Sequence, residues 1–183
     1  MKKLLLPLFL LVACGWLRAA SLQVGDTAPV LTGTAETGKP LDLGAVYKAN
    51  KYTVVYFYPK AFTGGCTAQG CSLRDGYDEL TKNGVTVVGV STDDVDTQKK
   101  FKDANKFPFT LIADTDKKVI KAFGQSGLLM AAREAYLIQD GKIIYKDTGV
   151  TSAQAQNILN FLSRQAGAAP AAKPAPATSP SAM

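Results

Sequence analysis

Two continuous apolar runs in the middle of the chain limit the folds that it can adopt. Residues 52–58 (Tyr-Thr-Val-Val-Tyr-Phe-Tyr) and residues 85–90 (Val-Thr-Val-Val-Gly-Val) are rich in β-branched and aromatic side chains. Such uninterrupted runs are typical of strands that are buried on both faces. Residues 66–82, which lie between them, carry apolar side chains at helical spacing. Strand, helix and strand within about 40 residues predict a parallel crossover unit.

The segments that follow continue this alternation. In chain order they predict a helix over 94–106 with Asp93 or Asp94 as its cap and Pro108 beyond its end, a strand at 109–112, a hairpin of 134–138 and 142–146 around Asp140-Gly141, and a final helix capped by Thr151. This order of elements is that of a thioredoxin-like α/β fold, in which helices flank a central mixed sheet.

The first 20 residues have the composition of an export signal, with lysines at positions 2 and 3 and a short apolar run after them. Two cleavage sites fit. Leu11-Val12-Ala13-Cys14 resembles a bacterial lipobox, which would make Cys14 the lipidated first residue of a membrane-anchored protein. Leu17-Arg18-Ala19 instead suits ordinary signal peptidase. We favour the lipobox, and both sites predict a protein that works outside the cytoplasm.

The last 18 residues, 166–183, are dominated by alanine and proline and offer no bulky apolar side chain except the final methionine. Such a composition cannot form a core, and it predicts a disordered tail. Residues 21–165 are therefore expected to form one domain.

Charge and histidine content exclude several classes of function. Four of the 21 basic residues (Lys2, Lys3, Arg18 and Lys173) lie in the two ends, which leaves 17 basic and 15 acidic side chains in residues 22–165. Without a concentrated positive charge, the domain is not expected to bind nucleic acid. The chain has no histidine, which excludes Ser-His-Asp and Cys-His catalysis and histidine-ligated metal sites.

A cysteine stands where the first buried strand gives way to a helix. The sequence after Tyr58 is Pro-Lys-Ala-Phe-Thr-Gly-Gly, followed by Cys66. Free backbone N–H groups and the helix dipole favour an anion at such a position, and the thiolate is the nucleophilic form of cysteine. Gly64 and Gly65 allow the backbone to approach a small ligand closely. With no histidine present, an arginine is the natural cationic partner.

Two structural roles compete with catalysis for Cys66 and Cys71. Disulfides are common in exported proteins, so the pair could be a passive cross-link, although a bridge that closes so few residues adds little stability. A zinc site is less favoured, because two thiols cannot supply four ligands.

The same residues resemble the active-site motif of the peroxiredoxins, Pro59-x-x-x-Thr63-x-x-Cys66. A second cysteine five positions later, Cys71, is similar to the bacterioferritin comigratory protein (peroxiredoxin Q) branch. Further similarity lies in residues 89–93, 107–114 and 133–138, and the resemblance extends over residues 22–163 as a whole.

The resemblance implies a thiol-dependent peroxidase that needs no prosthetic group. Cys66 would be the peroxidatic cysteine and Cys71 the resolving one. Thr63 would hydrogen-bond the peroxide and the thiolate, Arg133 would supply positive charge, and Pro59 would shield the site. The branch further implies a small peroxide substrate, a thioredoxin-like protein as reductant, and a monomer.

Departures from the branch are few, and other functions remain open. Gly64 stands where this branch usually has proline, which predicts a looser loop. A thioredoxin-type disulfide reductase is one alternative, although its cysteines are normally two residues apart. A copper-delivery protein on the same fold is another, although such proteins also use a histidine.

Arg74 and Asp75 are expected to form a surface pair, and Asp93, Asp94 and Asp96 to be helix-start acids rather than metal ligands.

Overall fold

The computed structural model describes residues 21–126 and 128–168. Its elements are β1 (Thr32–Thr34), β2 (Pro40–Asp42), α1 (Leu43–Ala49), β3 (Tyr52–Phe57), α2 (Gly64–Asp75), α3 (Tyr77–Lys82), β4 (Val85–Ser91), α4 (Val95–Asn105), β5 (Thr110–Ala113), α5 (Lys118–Ala122), β6 (Glu134–Gln139), β7 (Lys142–Thr148) and α6 (Gln154–Ala168). The predicted export signal at 1–20, with Cys14, and most of the predicted tail lie outside the described residues.

The central sheet has five strands in the order β5-β4-β3-β6-β7. Strand β3 pairs in parallel with β4, and β4 with β5, whereas β6 is antiparallel to both β3 and β7. The predicted crossover unit and hairpin are therefore confirmed. In the hairpin turn, Asp140 and Gly141 both have positive φ (49° and 73°), as the favoured two-residue turn requires.

Strand β3 lies in the middle of the sheet and divides the core in two. Val54, Tyr56 and Tyr58 face a cluster that includes side chains of α2, α3, α4 and α6. Val55 and Phe57 face the other cluster, with α1 and α5. Both faces of the sheet are thus covered, and the thioredoxin-like α/β architecture expected from the sequence is confirmed.

The helix predicted over 66–82 is two helices, α2 and α3, separated at Gly76. A Cβ atom at Gly76 would lie 2.7 Å from the Cβ of Ala155 in α6. The chain therefore bends where α6 crosses closely, and glycine is the residue that allows this approach.

The boundaries of the last helix differ from the prediction. Helix α6 begins at Gln154, so Thr151 lies before the helix and is not its cap. The helix continues to Ala168, three residues beyond the predicted domain end at 165. Ala166 and Ala168 are favourable helix residues, and the first proline comes only at Pro170.

Four short elements were not predicted: β1, β2, α1 and α5. They have three to seven residues each, too few to show a clear hydrophobic period. Among the helices of residues 21–126 and 128–168, none has the length and apolar composition needed to cross a bilayer.

Candidate active site

Cys66 lies in the first turn of α2, directly beyond the carboxyl end of β3. Thr63 is the N-terminal cap residue, so Cys66 is the third residue of the helix. Its side chain is almost fully buried, with 1% of its surface exposed. The first-turn N–H groups and the helix dipole therefore act on the sulfur with little screening by water.

Arg133 reaches this sulfur from the neighbouring strand. In the antiparallel pairing of β3 and β6, Phe57 lies opposite Glu134, which places Arg133 beside the start of the Cys66 loop. Its Nη2 donates to Cys66 Sγ at 3.4 Å, and its Nη1 donates to the carbonyl oxygen of Gly65 at 3.2 Å. The structure thus brings together two residues that are 67 positions apart in the chain.

A chain of buried amides holds Arg133 in place. Gln69 Oε1 accepts a second hydrogen bond from Arg133 Nη1 at 2.8 Å. Gln69 donates to Gln154 at 3.1 Å, and Gln154 donates to the carboxylate of Asp147 at 2.9 Å. Sequence analysis missed all three of these residues. The one available signal was that Gln69 lies three residues after Cys66, on the same helix face.

Gly65 makes room for the guanidinium. A Cβ atom at this position would lie 3.0 Å from Arg133 Nη2, whereas a Cβ at Gly64 would meet nothing within 4 Å. The two glycines therefore differ in what they do. Gly65 permits the close approach of Arg133, and Gly64 occupies open space at the helix start.

The loop before Cys66 is tied to the end of β4. The backbone N–H of Ala61 donates to Asp93 Oδ2 at 2.8 Å, and the Ser91 hydroxyl donates to the same oxygen at 2.7 Å. Phe62 has a left-handed backbone (φ 62°), and its ring lies 5.1 Å from that of Phe101. Asp93, which was expected to start the next helix, is instead an anchor for this loop.

The cap of α4 is the next residue, Asp94, whose side chain accepts a hydrogen bond from the backbone N–H of Thr97 at 2.8 Å. This bond lowers the pKa of Asp94. In residues 21–126 and 128–168, no group of three or more Cys, Asp or Glu side chains is arranged to hold a metal ion.

Thr63 and Pro59 lie at the two ends of this loop. The Thr63 hydroxyl is exposed and donates to the carbonyl oxygen of Lys60 at 2.9 Å. Among the described residues it makes no hydrogen bond to Cys66, so its expected bond to the thiolate stays a prediction. Pro59 is half-buried and is separated from the end of β3 by Tyr58, and its shielding role also stays a prediction.

Two tyrosines of β3 and its extension lie beneath the cysteines. Tyr58 donates to Gln98 Oε1, and Gln98 in turn donates to Ser91 Oγ and to the Ile112 carbonyl, both at 2.9 Å. Burial raises the pKa of Tyr56 well above its ordinary value, and Tyr58, Cys66 and Cys71 raise it further. Burial also raises the pKa of Tyr58, so both phenols are neutral at physiological pH.

Cys71 lies on the same helix, is half-buried and has a free thiol like Cys66. Its Sγ donates to Asn105 Oδ1 at 3.9 Å. The neighbouring Arg74 pairs with Asp75 at 2.8 Å, which confirms the expected surface pair. Its Nη1 also donates to the Asn105 carbonyl oxygen at 2.8 Å, a contact that the sequence did not indicate.

Comparisons with known proteins agree with this geometry. Residues 24–146 match the AhpC/TSA family. Peroxiredoxin Bcp of Escherichia coli (strain K12) is 36% identical over 155 residues, which cover 79% of this chain and 98% of the relative. Chloroplastic peroxiredoxin Q of Arabidopsis thaliana is 36% identical over 149 residues, 78% of this chain and 68% of the relative.

A solved structure of a related protein has the same fold. The crystal structure of peroxidoxin BcpB from Mycobacterium tuberculosis superimposes with a TM-score of 0.73 at 30% identity, over 78% of this chain and 97% of that one. The chain therefore belongs to the AhpC/TSA family, in its peroxiredoxin Bcp and peroxiredoxin Q branch, and is a thiol-dependent peroxidase.

Proposed function

We propose that the enzyme reduces hydrogen peroxide and organic hydroperoxides in a two-cysteine cycle. The Cys66 thiolate attacks one peroxide oxygen, releases water or an alcohol, and becomes a sulfenic acid. The Cys71 thiol condenses with this sulfenic acid and forms a Cys66–Cys71 disulfide and water. A thioredoxin-like dithiol protein then reduces the disulfide.

The contact between Arg133 and Cys66 carries this proposal. A buried cysteine at a helix N-terminus with a guanidinium 3.4 Å from its sulfur is in an environment that favours the thiolate. The guanidinium can also stabilise the negative charge that moves to the leaving oxygen during attack. Thr63 and Pro59 would complete the site by holding the peroxide and by limiting the access of water.

The cycle requires local unwinding of α2. Both cysteines lie within this helix, where five residues of rise and rotation place the two Cα atoms about 8–9 Å apart. A disulfide needs a separation below roughly 7 Å. We infer that the first turn melts. Thr63 makes no capping hydrogen bond with its side chain, and the first two helical residues are glycines, so this turn is weakly held.

Replacement of Cys66 by serine tests the cycle. Cys66→Ser should abolish peroxide consumption in the presence of a small dithiol, because a serine hydroxyl is not ionised at neutral pH. The matched variant Cys71→Ser should still react once with peroxide and then over-oxidise at Cys66. Normal turnover by Cys66→Ser would overturn the assignment. Insulin-disulfide reduction and copper binding, measured in parallel, test the two alternative functions.

We further propose that the protein is exported, is anchored by lipid at Cys14, and acts as a monomer. The support is the lipobox-like sequence at 11–14 after a lysine-led apolar run. Cys14→Ala should release the protein from membranes or leave it unprocessed. Recovery of a water-soluble mature chain that begins near Ala20 would instead favour ordinary signal cleavage.

A further inference from the structure

Cys71 has polar surroundings of its own, separate from those of Cys66. Asn105, the last residue of α4, receives two contacts from α2. Its side-chain Oδ1 accepts from the Cys71 thiol at 3.9 Å, and its carbonyl oxygen accepts from Arg74 Nη1 at 2.8 Å. The Asn105 amide is itself oriented, because its Nδ2 donates to the Phe101 carbonyl oxygen at 2.9 Å.

Arg74 contacts α4 as well as its ion-pair partner Asp75. Arg74 directs Nε and Nη2 to Asp75 Oδ1, both at 2.8 Å, and its remaining nitrogen, Nη1, towards α4. The Asp75 carboxylate raises the pKa of Arg74, and the nearby Cys71 sulfur acts in the same direction. Cys71 and Arg74 are three residues apart on α2, so their side chains lie on the same side of the helix, and both contact Asn105.

We propose that Arg74, held by Asn105, is the charge partner of the resolving cysteine and promotes formation of the Cys66–Cys71 disulfide. This inference rests on the proposed role of Cys71. In the step concerned, the Cys71 thiolate attacks Sγ of the Cys66 sulfenic acid. The S–S bond forms as the S–O bond breaks, and the departing hydroxide takes up the proton that Cys71 lost. Cys71 is oxidised, Cys66 is reduced, and water is the product.

The groups around Cys71 differ in charge. Arg74 is cationic, whereas Asn105 is neutral and accepts the hydrogen bond of the Cys71 thiol through Oδ1. Tyr56, from β3, stays neutral, because burial raises its pKa. Asp75 offsets part of the Arg74 charge. Arg74 is therefore the cationic group that shares Asn105 with Cys71.

The same contacts determine which end of α2 moves. Arg74 and Asn105 join the C-terminal part of α2 to α4, and Leu73 in that part is fully buried. The N-terminal turn buries Cys66 and is contacted by Arg133, but it begins with two glycines and its cap residue, Thr63, makes no side-chain capping hydrogen bond. Cys66 is thus expected to move towards a stationary Cys71.

The test is Arg74→Met with Arg74→Lys as its conservative counterpart. Reduced full-length enzyme is mixed with one equivalent of hydrogen peroxide and quenched at intervals, and mass spectrometry separates thiol, sulfenic acid and disulfide. Arg74→Met should leave peroxide consumption in the first turnover unchanged. It should slow conversion of the sulfenic acid to the disulfide about three- to tenfold at neutral pH. The effect is moderate because a thiol that forms less thiolate is also more nucleophilic once it is ionised.

The pH profile separates an electrostatic role from a structural one. The rates of Arg74→Met and of the unmodified enzyme should converge near about pH 9.5, where a free thiol ionises without help. Arg74→Lys should keep most of the rate. Lys99→Met, which removes an exposed lysine paired with Asp103 at 2.7 Å, is the matched control and should behave like the unmodified enzyme.

The outcomes distinguish this inference from the proposed function. If the unmodified enzyme forms no Cys66–Cys71 disulfide, the proposed cycle itself is wrong. If the disulfide forms but Arg74→Met makes it at the normal rate at every pH, or makes it more slowly by the same factor at every pH, the cycle stands and the role of Arg74 is overturned.

Discussion

The two ends of α2 present their cysteines in opposite ways. At the N-terminal end, Cys66 is 1% exposed, and Arg133 is fixed by the Gly65 carbonyl and Gln69. At the C-terminal end, Cys71 is half-buried, and Arg74 keeps 33% of its side chain exposed beside an Asp75 that is 66% exposed. Each cysteine thus has an arginine nearby, and both arginines are partly exposed, but only Arg133 donates directly to a cysteine sulfur, and that sulfur is buried.

This difference fits the two tasks in the cycle. Attack on peroxide benefits from a thiolate in a dry, preorganised site, because electrostatic stabilisation is strongest where water is excluded. The resolving cysteine must meet a moving partner and must later be reached by a reductant protein, so exposure is useful there. Exposure also weakens its arginine, since solvent and salt screen the charge. Substitutions at the Cys66 end should therefore have the larger effects.

The largest effect is expected from loss of Arg133, which donates directly to the buried Cys66 sulfur. Arg133→Met should slow attack on peroxide on the order of 10²-fold, the usual cost of removing one donor from a preorganised anion site. The attack rate of Arg133→Lys should lie between those of Arg133→Met and the unmodified enzyme, because lysine keeps the charge but not the two donors of the guanidinium. Rapid-mixing measurements of peroxide loss in a single turnover give this rate. A rate for Arg133→Met within twofold of the unmodified enzyme would show that the contact of Arg133 with the buried sulfur does not matter for attack on peroxide.

A smaller effect at the same end is expected when Arg133 is displaced rather than removed. Gly65→Ala places a methyl group 3.0 Å from Arg133 Nη2, which must shift the guanidinium away from Cys66. Attack on peroxide should slow about tenfold, as expected for a misplaced electrostatic partner. Circular dichroism checks that the fold is kept. An unchanged attack rate in a folded Gly65→Ala enzyme would contradict the packing argument.

The sequence predicted the parts of this structure that depend on local pattern. The buried strands followed from runs of β-branched residues, and the cysteine loop followed from a short motif. The amide chain behind Arg133 could not be predicted in this way, because Gln69 and Gln154 are 85 positions apart and meet only when α2 packs on α6. The role of Asp93 was wrongly predicted for a similar reason. Its partner, the Ala61 N–H, lies 32 positions away.

Gly70 shows how a local argument can give the wrong reason for a residue. A glycine weakens a helix, which by itself would make Gly70 a candidate for a role in the unwinding of α2. In the structure a Cβ atom at Gly70 would lie 2.5 Å from the Phe107 ring. Glycine is therefore needed for packing, and Gly70→Ala would disturb the core. Gly64, with open space around it, is the position at which unwinding can be tested cleanly.

Gly64→Ala should act on the second step and not on the first. Alanine stabilises a helical residue by up to about 1 kcal/mol relative to glycine, which corresponds to roughly a fivefold slower melting of the first turn. Disulfide formation should slow by up to that factor, while attack on peroxide should change far less than in Gly65→Ala.

Hydrogen exchange provides an independent check on unwinding. Amides in residues 64–75 should exchange faster in the oxidised enzyme than in the reduced enzyme, and the increase should be greatest around Cys66. Equal protection in both states, with the disulfide confirmed by mass, would refute the unwinding step.

The smallest effect should come from salt, and it should separate the two arginines. The screening length falls from about 10 Å at 0.1 M to about 3 Å at 1 M ionic strength. The exposed Arg74 should therefore lose part of its influence, and disulfide formation should slow about twofold over this range. Arg74→Met should show no such slowing. Attack on peroxide should be insensitive to salt in both enzymes, because Cys66 is buried, Arg133 donates directly to its sulfur, and hydrogen peroxide is uncharged. Quenched single-turnover reactions in sodium chloride measure both steps on the same samples. Equal salt dependence of the two steps in the unmodified enzyme would mean that the exposure of Arg74 has no electrostatic consequence.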